Sequence, residues 1–144
     1  MACEIVFSLL TESLTGDIGD DWEYTVRAEV RNPMVISTGG IGCAEHTLKP
    51  GTTQPAPNST AVVIRAGECG TGPTIRLVIH AKEVDLLIDD KGSNELIVPM
   101  ECPSPGGAPY TVEPEIVARV RERPALKPKE AVLTVKVRLT ARCV

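Results

Sequence analysis

Residues 22–32 alternate between apolar and polar side chains, and this period of two constrains the fold more than any other feature of the sequence. One set of positions holds Trp22, Tyr24, Val26, Ala28 and Val30. The other set holds Glu23, Thr25, Arg27, Glu29 and Arg31. Such alternation is typical of a β-strand with one face in the core and the other in water. We therefore predict a half-buried antiparallel strand here, with the ring of Trp22 in the core.

Further segments of strand character recur along the chain, separated by turns that contain many of its twelve prolines and twelve glycines. These segments are residues 3–10, 34–37, 60–66, 74–82, 95–101, 115–123 and 131–143. The intervening stretches 11–21 and 33–59 are predicted to be mostly irregular, and a helical pattern appears only weakly at 113–123. Runs of short strands punctuated by proline and glycine favour an all-β antiparallel sandwich, here of seven to eight strands. At 144 residues, a single domain spanning 1–144 is expected.

Two acidic clusters lie where strands meet loops. The first contains Asp17, Asp20 and Asp21, and the second contains Glu83, Asp85, Asp89 and Asp90. Calcium prefers six to eight hard oxygen ligands, which carboxylates and carbonyls on flexible loops supply. The loops 11–22 and 83–95 are therefore predicted to form a calcium site at one end of the sandwich. The alternative is that these aspartates are solvated turn residues, because Asp is common in turns for backbone reasons.

The same two segments resemble calcium loops of C-two domains, the calcium- and lipid-binding sandwiches first defined in protein kinase C. The stretch from Asp17 to Val26 resembles the first loop, although the proline of that pattern is missing after Asp21. The stretch from Thr74 to Gly92 resembles the third loop, with a shorter spacer. The resemblance implies that Asp17, Asp21, Asp85 and either Asp89 or Asp90 bind calcium, with Glu83 in place of an aspartate.

A second charged feature lies in the last two predicted strands. Their outward positions carry Arg119, Arg121, Arg123, Lys136, Arg138 and Arg142. These side chains are predicted to form a basic face that attracts an anionic lipid or an acidic protein surface. The alternative is an ordinary solvated face. Single-stranded nucleic acid is not the expected partner, because this face has no aromatic side chains on which nucleobases could stack.

The five cysteines and the N-terminus bear on the compartment. No basic segment followed by an apolar run begins the chain, and no apolar run is long enough for a membrane helix. A cytoplasmic setting is predicted, although a mature secreted form would look the same. Cys3 and Cys143 lie on the first and last predicted strands, where they could be neighbours; buried free thiols are the default prediction, and disulfide bonds are left open. Cys43 and His46 have the spacing of half a zinc site, but no second close pair accompanies them.

Two function classes follow from these features. The first is a non-enzymatic module that binds calcium and attaches to a membrane or a protein partner when calcium is present. The second is a structural module that oligomerises or packs in a larger complex and has no metal site. Enzymatic chemistry is not predicted, because the chain has only two histidines and none of the common nucleophile, phosphate or metalloprotease motifs.

Overall fold

The structure is a computed structural model that describes residues 1–85, 89–122 and 129–144. These residues form ten β-strands. In chain order the strands are β1 (Ala2–Gly16), β2 (Asp21–Arg31), β3 (Val35–Thr47), β4 (Thr53–Pro55), β5 (Val62–Glu68), β6 (Thr74–Glu83), β7 (Asp90–Pro99), β8 (Tyr110–Val112), β9 (Glu115–Arg121) and β10 (Glu130–Cys143). Residues 86–88, in the second predicted acidic loop, and Arg123, in the predicted basic face, lie outside the described residues.

The strands form two antiparallel sheets. The six-stranded sheet has β1 and β10 at its centre, with β4 and β5 paired to β1 and with β8 and β9 paired to β10. The four-stranded sheet has the order β3-β2-β6-β7. The predicted all-β sandwich is therefore confirmed, with ten described strands instead of seven to eight. The additional strands, β4 and β8, have three residues each, too few to show an alternating pattern.

Three predicted loops are wrong in their bounds. The second acidic loop, predicted at 83–95, is shorter, because β7 already begins at Asp90. β1 continues to Gly16, so only residues 17–20 connect it to β2. β3 occupies 35–47, which was predicted to be mostly irregular. The alternation is hidden in β1 and β3 for a physical reason: the pairing register of β1 shifts between Leu9 and Thr11, and β3 contains three glycines, which carry no side chain to show which face is buried.

The core lies between the sheets and is filled mainly by aliphatic side chains. The ring of Trp22 is fully buried, and so are the other inward residues of β2, as the alternation predicts. The two flanks of the sandwich are closed by side-chain hydrogen bonds between edge strands. Ser37 Oγ donates to the carbonyl of Arg65 at 2.5 Å on one flank, and Asn94 Nδ2 donates to the carbonyl of Val117 at 2.8 Å on the other.

Two disulfide bonds correct the prediction of free thiols. Cys3 and Cys143 are directly opposite each other in the β1/β10 ladder, as expected. Each is nevertheless bonded to a cysteine in a turn or loop: Cys3 pairs with Cys102, and Cys143 pairs with Cys69. Cys43 is the free cysteine, and it is buried. Both disulfides lie at the end of the sandwich opposite to the loop 17–20.

Candidate functional site

The two predicted acidic segments meet at one end of the sandwich. Trp22 at the start of β2 pairs with Glu83 at the end of β6, and the backbone N–H of Val84 donates to the carbonyl of Asp21 at 2.7 Å. The loop between β1 and β2 packs onto Glu83, because a Cβ on Gly19 would overlap the Glu83 carboxylate. Trp22 Nε1 donates to the carbonyl of Gly19 at 3.1 Å, which ties this loop to the core.

Glu83 is the most unusual residue of this end. Its side chain is 5 % exposed, and its Oε2 atom is buried without a hydrogen-bond partner. Asp90, also 5 % exposed, lies directly opposite it on β7. Burial, as the largest cause, and the negative charges of Asp85 and Asp90 together raise the pKa of Glu83 from 4.5 to about 7. A buried carboxylate without a partner destabilises the folded state unless a proton or a cation neutralises it.

Of the other predicted ligands, Asp21, Asp85 and Asp89 act electrostatically on Glu83. Asp17, Asp20, Asp21 and Asp85 are exposed, and Asp89 is half-buried. Asp89 accepts a hydrogen bond from the backbone N–H of Asp85 at 3.0 Å, which lowers its pKa, and its carboxylate lies 3.6 Å from Lys82 Nζ. Among residues 1–85, 89–122 and 129–144, no three His, Cys, Asp or Glu side chains are arranged to hold a metal ion. Coordination at this end would therefore require the loops to draw closer together.

The predicted basic face is present, but acidic neighbours offset much of its charge. Arg119, Arg121 and Arg138 are exposed on the outer face of the six-stranded sheet, and Lys136 is half-buried there. Arg119 and Arg121 both bond to Glu130, at 3.0 and 3.2 Å. Arg138 pairs with Glu113 at 3.2 Å. These pairs are exposed and contribute little to stability.

A cleft of about 530 Å³ joins the acidic end to this face. Its lining consists of Asp89, Asp90, Lys91, Arg119, Arg121 and Glu130. The cleft thus contains three acidic and three basic side chains. Its net charge depends directly on whether the two aspartates are neutralised.

A buried polar network lies on the flank formed by β1, β3 and β4, opposite to the flank formed by β7 and β9. It was not predicted from the sequence. One β-bulge at Leu10 turns Glu12 from the outer face of β1 into the core. A second irregularity, at Ala44 and Glu45, turns His46 of β3 inward as well. Bulges insert one extra residue and so reverse the facing of every residue beyond them. Neither bulge has a clear signal in the sequence, although a glutamate between Leu9 and Leu14 is a weak one.

Glu12 is fully buried and accepts hydrogen bonds from three other strands. Tyr24 Oη donates to it at 2.8 Å, and Gln54 Nε2 donates at 2.7 Å. His46 Nε2 lies 2.8 Å from each of its carboxylate oxygens. Burial raises the pKa of Tyr24 far above its usual value, so the phenol remains a donor. Burial also raises the pKa of the neighbouring Cys43 thiol, which is the opposite of an activated nucleophile.

A shallow groove of about 750 Å³ lies near the acidic end on the outer face of the four-stranded sheet. Small residues such as Gly42, Ala44 and Ser93 leave space there, and His80 stands exposed between them. Beside it, Glu23 and Lys82 form an ion pair with an Nζ–Oε1 distance of 2.6 Å. The outward position of His80 agrees with the alternation predicted for residues 74–82.

No protein-family model matches this chain, and no curated protein matches it. The resemblance to C-two domains therefore stays a prediction. The described residues include no helix that is long and apolar enough to cross a membrane.

Proposed function

We propose that this β-sandwich is a non-enzymatic module whose acidic end binds a divalent cation, with calcium as the best chemical match. The observation that carries this proposal is the buried Oε2 of Glu83, which has no hydrogen-bond partner. Four further carboxylates, those of Asp21, Asp85, Asp89 and Asp90, act on Glu83 electrostatically. Like charges directly opposite each other in a ladder are destabilising, and Glu83 and Asp90 form such a pair.

Calcium fits this end because of the ligands that it prefers. It takes oxygen ligands at about 2.3–2.6 Å and tolerates irregular geometry, so carboxylates on two short loops suit it better than they suit magnesium. Asp17 and Asp20 lie on the first connection, and Asp85 and Asp89 lie on the second. Binding would draw these side chains toward the buried Glu83.

A bound cation would also change how this end attracts a partner. In the cleft between the acidic end and the basic face, three acids balance three bases. Neutralisation of Asp89 and Asp90 would leave Lys91, Arg119 and Arg121 in excess over Glu130. The proposed consequence is calcium-dependent attachment to an anionic lipid or an acidic protein surface. Lys136 and Arg138, on the same sheet face, would contribute to this attachment.

The test is thermal unfolding in calcium and in chelator. A ligand that binds only the folded state raises its stability by about 2.7 kcal/mol at a hundredfold excess over the dissociation constant. We expect the Tm to rise by several degrees in calcium and the rise to disappear in Asp85→Asn/Asp89→Asn. Glu115→Gln, an exposed carboxylate on β9, is the matched control and should keep the response. An unchanged Tm at about 10 mM calcium, well above the dissociation constants of weak extracellular modules, would reject the proposal.

A second candidate function, assembly without metal, is favoured by one specific observation. Residues 33–36, at the hairpin between β2 and β3, are four consecutive exposed apolar residues. Met34 is 79 % exposed and Val35 is 54 % exposed. Such runs are rare on monomeric surfaces unless they contact a partner. Light scattering after size exclusion, with Met34→Ser as the variant, tests this: assembly that persists in chelator and is lost in the variant would favour the second candidate.

The two disulfides bear on the compartment in which either function operates. Disulfides persist mainly in oxidising environments such as the extracellular space or the periplasm. We therefore propose an oxidising compartment, in place of the cytoplasmic setting predicted from the N-terminus. Free calcium is also higher outside cells than inside, so weak calcium modules are usually extracellular.

A further inference from the structure

We propose that Glu12 and His46 form a proton-dependent latch that holds the end of β3 and the short strand β4 against β1 and keeps Cys43 inaccessible. The latch uses none of the carboxylates that are proposed to bind a cation. It rests on the geometry of four side chains from four strands. Those side chains are Glu12 of β1, Tyr24 of β2, His46 of β3 and Gln54 of β4.

The hydrogen bonds define the charge state of the His46 ring. Nδ1 lies 2.7 Å from the carbonyl oxygen of Ala44, and Nε2 lies 2.8 Å from both carboxylate oxygens of Glu12. A carbonyl and an ionised carboxylate can only accept, so with Glu12 ionised both ring nitrogens donate. An imidazole that donates from both nitrogens is the charged imidazolium. His46 and Glu12 therefore form an ion pair, with the His46 side chain 16 % exposed and the Glu12 side chain fully buried.

The other groups that face this pair do not replace the charge of His46. Tyr24 contributes a neutral hydroxyl from β2, and burial keeps its pKa far above the physiological range. Cys43 contributes a neutral thiol from β3, because burial raises its pKa too. Gln54 contributes an uncharged amide from β4. Among the described residues, His46 is thus the single cation that contacts the Glu12 carboxylate.

Loss of one proton from His46 would leave the network incomplete. Either the Ala44 carbonyl or the Glu12 carboxylate would lose its donor, and the buried carboxylate would lose its counter-charge. Removal of one partner from a buried ion pair is strongly destabilising, because the remaining charge stays in a dry environment. The neutral ring is therefore expected to swing out and to let water reach Glu12, since water is the available substitute for the lost donor.

The part that this movement would release first is β4, which is short and pairs with β1 over three residue pairs. β4 has three residues, and Gln54 connects it to both Glu12 and the carbonyl of Thr47. Cys43 lies three residues before His46 on an edge strand, beside Tyr24. Opening of this flank would thus expose the free thiol, which makes Cys43 a built-in reporter of the latch.

The main experiment measures the rate at which a thiol reagent labels Cys43 in the disulfide-intact protein, for the wild type and for His46→Gln, over a series of pH values. The ratio of the two rates cancels the intrinsic pH dependence of the thiol. We expect the wild type to be labelled at least about tenfold more slowly at acidic pH, and the ratio to approach one as the pH rises. His80→Gln, which changes the other and exposed histidine, should label like the wild type at every pH. A ratio that stays constant with pH would overturn the proposal.

A second measurement on the unmodified protein covers the case in which His46→Gln does not fold. Long-range nitrogen–proton NMR spectra distinguish doubly from singly protonated rings, and the chain has only two histidines to assign. We expect protons on both nitrogens of His46 at acidic pH. When one of them is lost, the side-chain amide of Gln54 and the ring of Tyr24 should shift together. A singly protonated His46 at acidic pH, or a Gln54 amide that does not respond, would contradict the latch.

Discussion

Glu83 and Asp90 lie directly opposite each other on β6 and β7, and both carboxylates are buried. Nothing among the described residues donates a hydrogen bond to Glu83 Oε2. A pair of this kind stabilises the folded state only when a proton or a cation is added to it. It therefore makes the acidic end responsive to both pH and metal, and the two responses can be measured separately.

The first prediction concerns pH in the absence of metal. The pKa of Glu83 is raised from 4.5 to about 7, so between these values the folded protein binds more protons than the unfolded chain. The free energy of unfolding therefore falls as the pH rises through this window, by on the order of 3 kcal/mol from this residue. Denaturant titrations in chelator should show the decline for the wild type and a much smaller decline for Glu83→Gln. Identical slopes for both proteins would show that Glu83 is not responsible.

The second prediction uses Trp22 as a reporter of the first acidic loop. Its ring is fully buried, and its Nε1 donates to the carbonyl of Gly19. We expect blue-shifted emission in the folded protein, and a further change on calcium addition if the proposed site orders residues 17–20. Trp22→Ala should lower the free energy of unfolding by roughly 3–5 kcal/mol. Emission close to that of the unfolded chain would contradict the burial.

The third prediction concerns the closed flank between β7 and β9. A Cβ on Gly92 would overlap the carbonyl oxygen of Arg119 and crowd Val120. Gly92→Ala should therefore push the two strands apart and destabilise the protein by about 1–3 kcal/mol, measured by chemical denaturation. Gly42→Ala is the matched control, because its Cβ would meet only the Thr25 methyl group at an ordinary 3.7 Å. Equal effects of the two substitutions would argue against the close packing of this flank.

The fourth prediction concerns the disulfides. They connect residues 99 and 74 positions apart, and each is expected to stabilise the fold by about 2–5 kcal/mol. Peptide mapping without reduction should find Cys3 linked to Cys102 and Cys69 linked to Cys143, with Cys43 as the free thiol. Reduction should lower the Tm strongly at constant pH. A Tm that is the same with and without reductant would mean that the bonds contribute nothing to stability.

Local patterns in the sequence were sufficient for the fold class and for the strands that alternate cleanly. β2 and β6 appear where they were predicted, and so does the burial of Trp22 and its inward neighbours. The two acidic segments were also predicted to lie at one end of the sandwich, and the pairing of β2 with β6 brings Asp21 and Glu83 together there. For β2 and β6 the signal is a period of two, which depends only on backbone geometry and burial.

Tertiary structure alone decided three other features. The bulges at Leu10 and at Ala44–Glu45 depend on how neighbouring strands pair, and they bring Glu12 and His46 together although 34 positions separate them. The disulfide partners Cys69 and Cys102 lie in a turn and a loop whose approach is set by the packing of the whole sandwich. The burial of Glu83 and Asp90 depends on the loop 17–20 and on β9, which cover them from distant parts of the chain. A sequence pattern records what each residue prefers locally, whereas these features arise from contacts between residues that the pattern cannot place side by side.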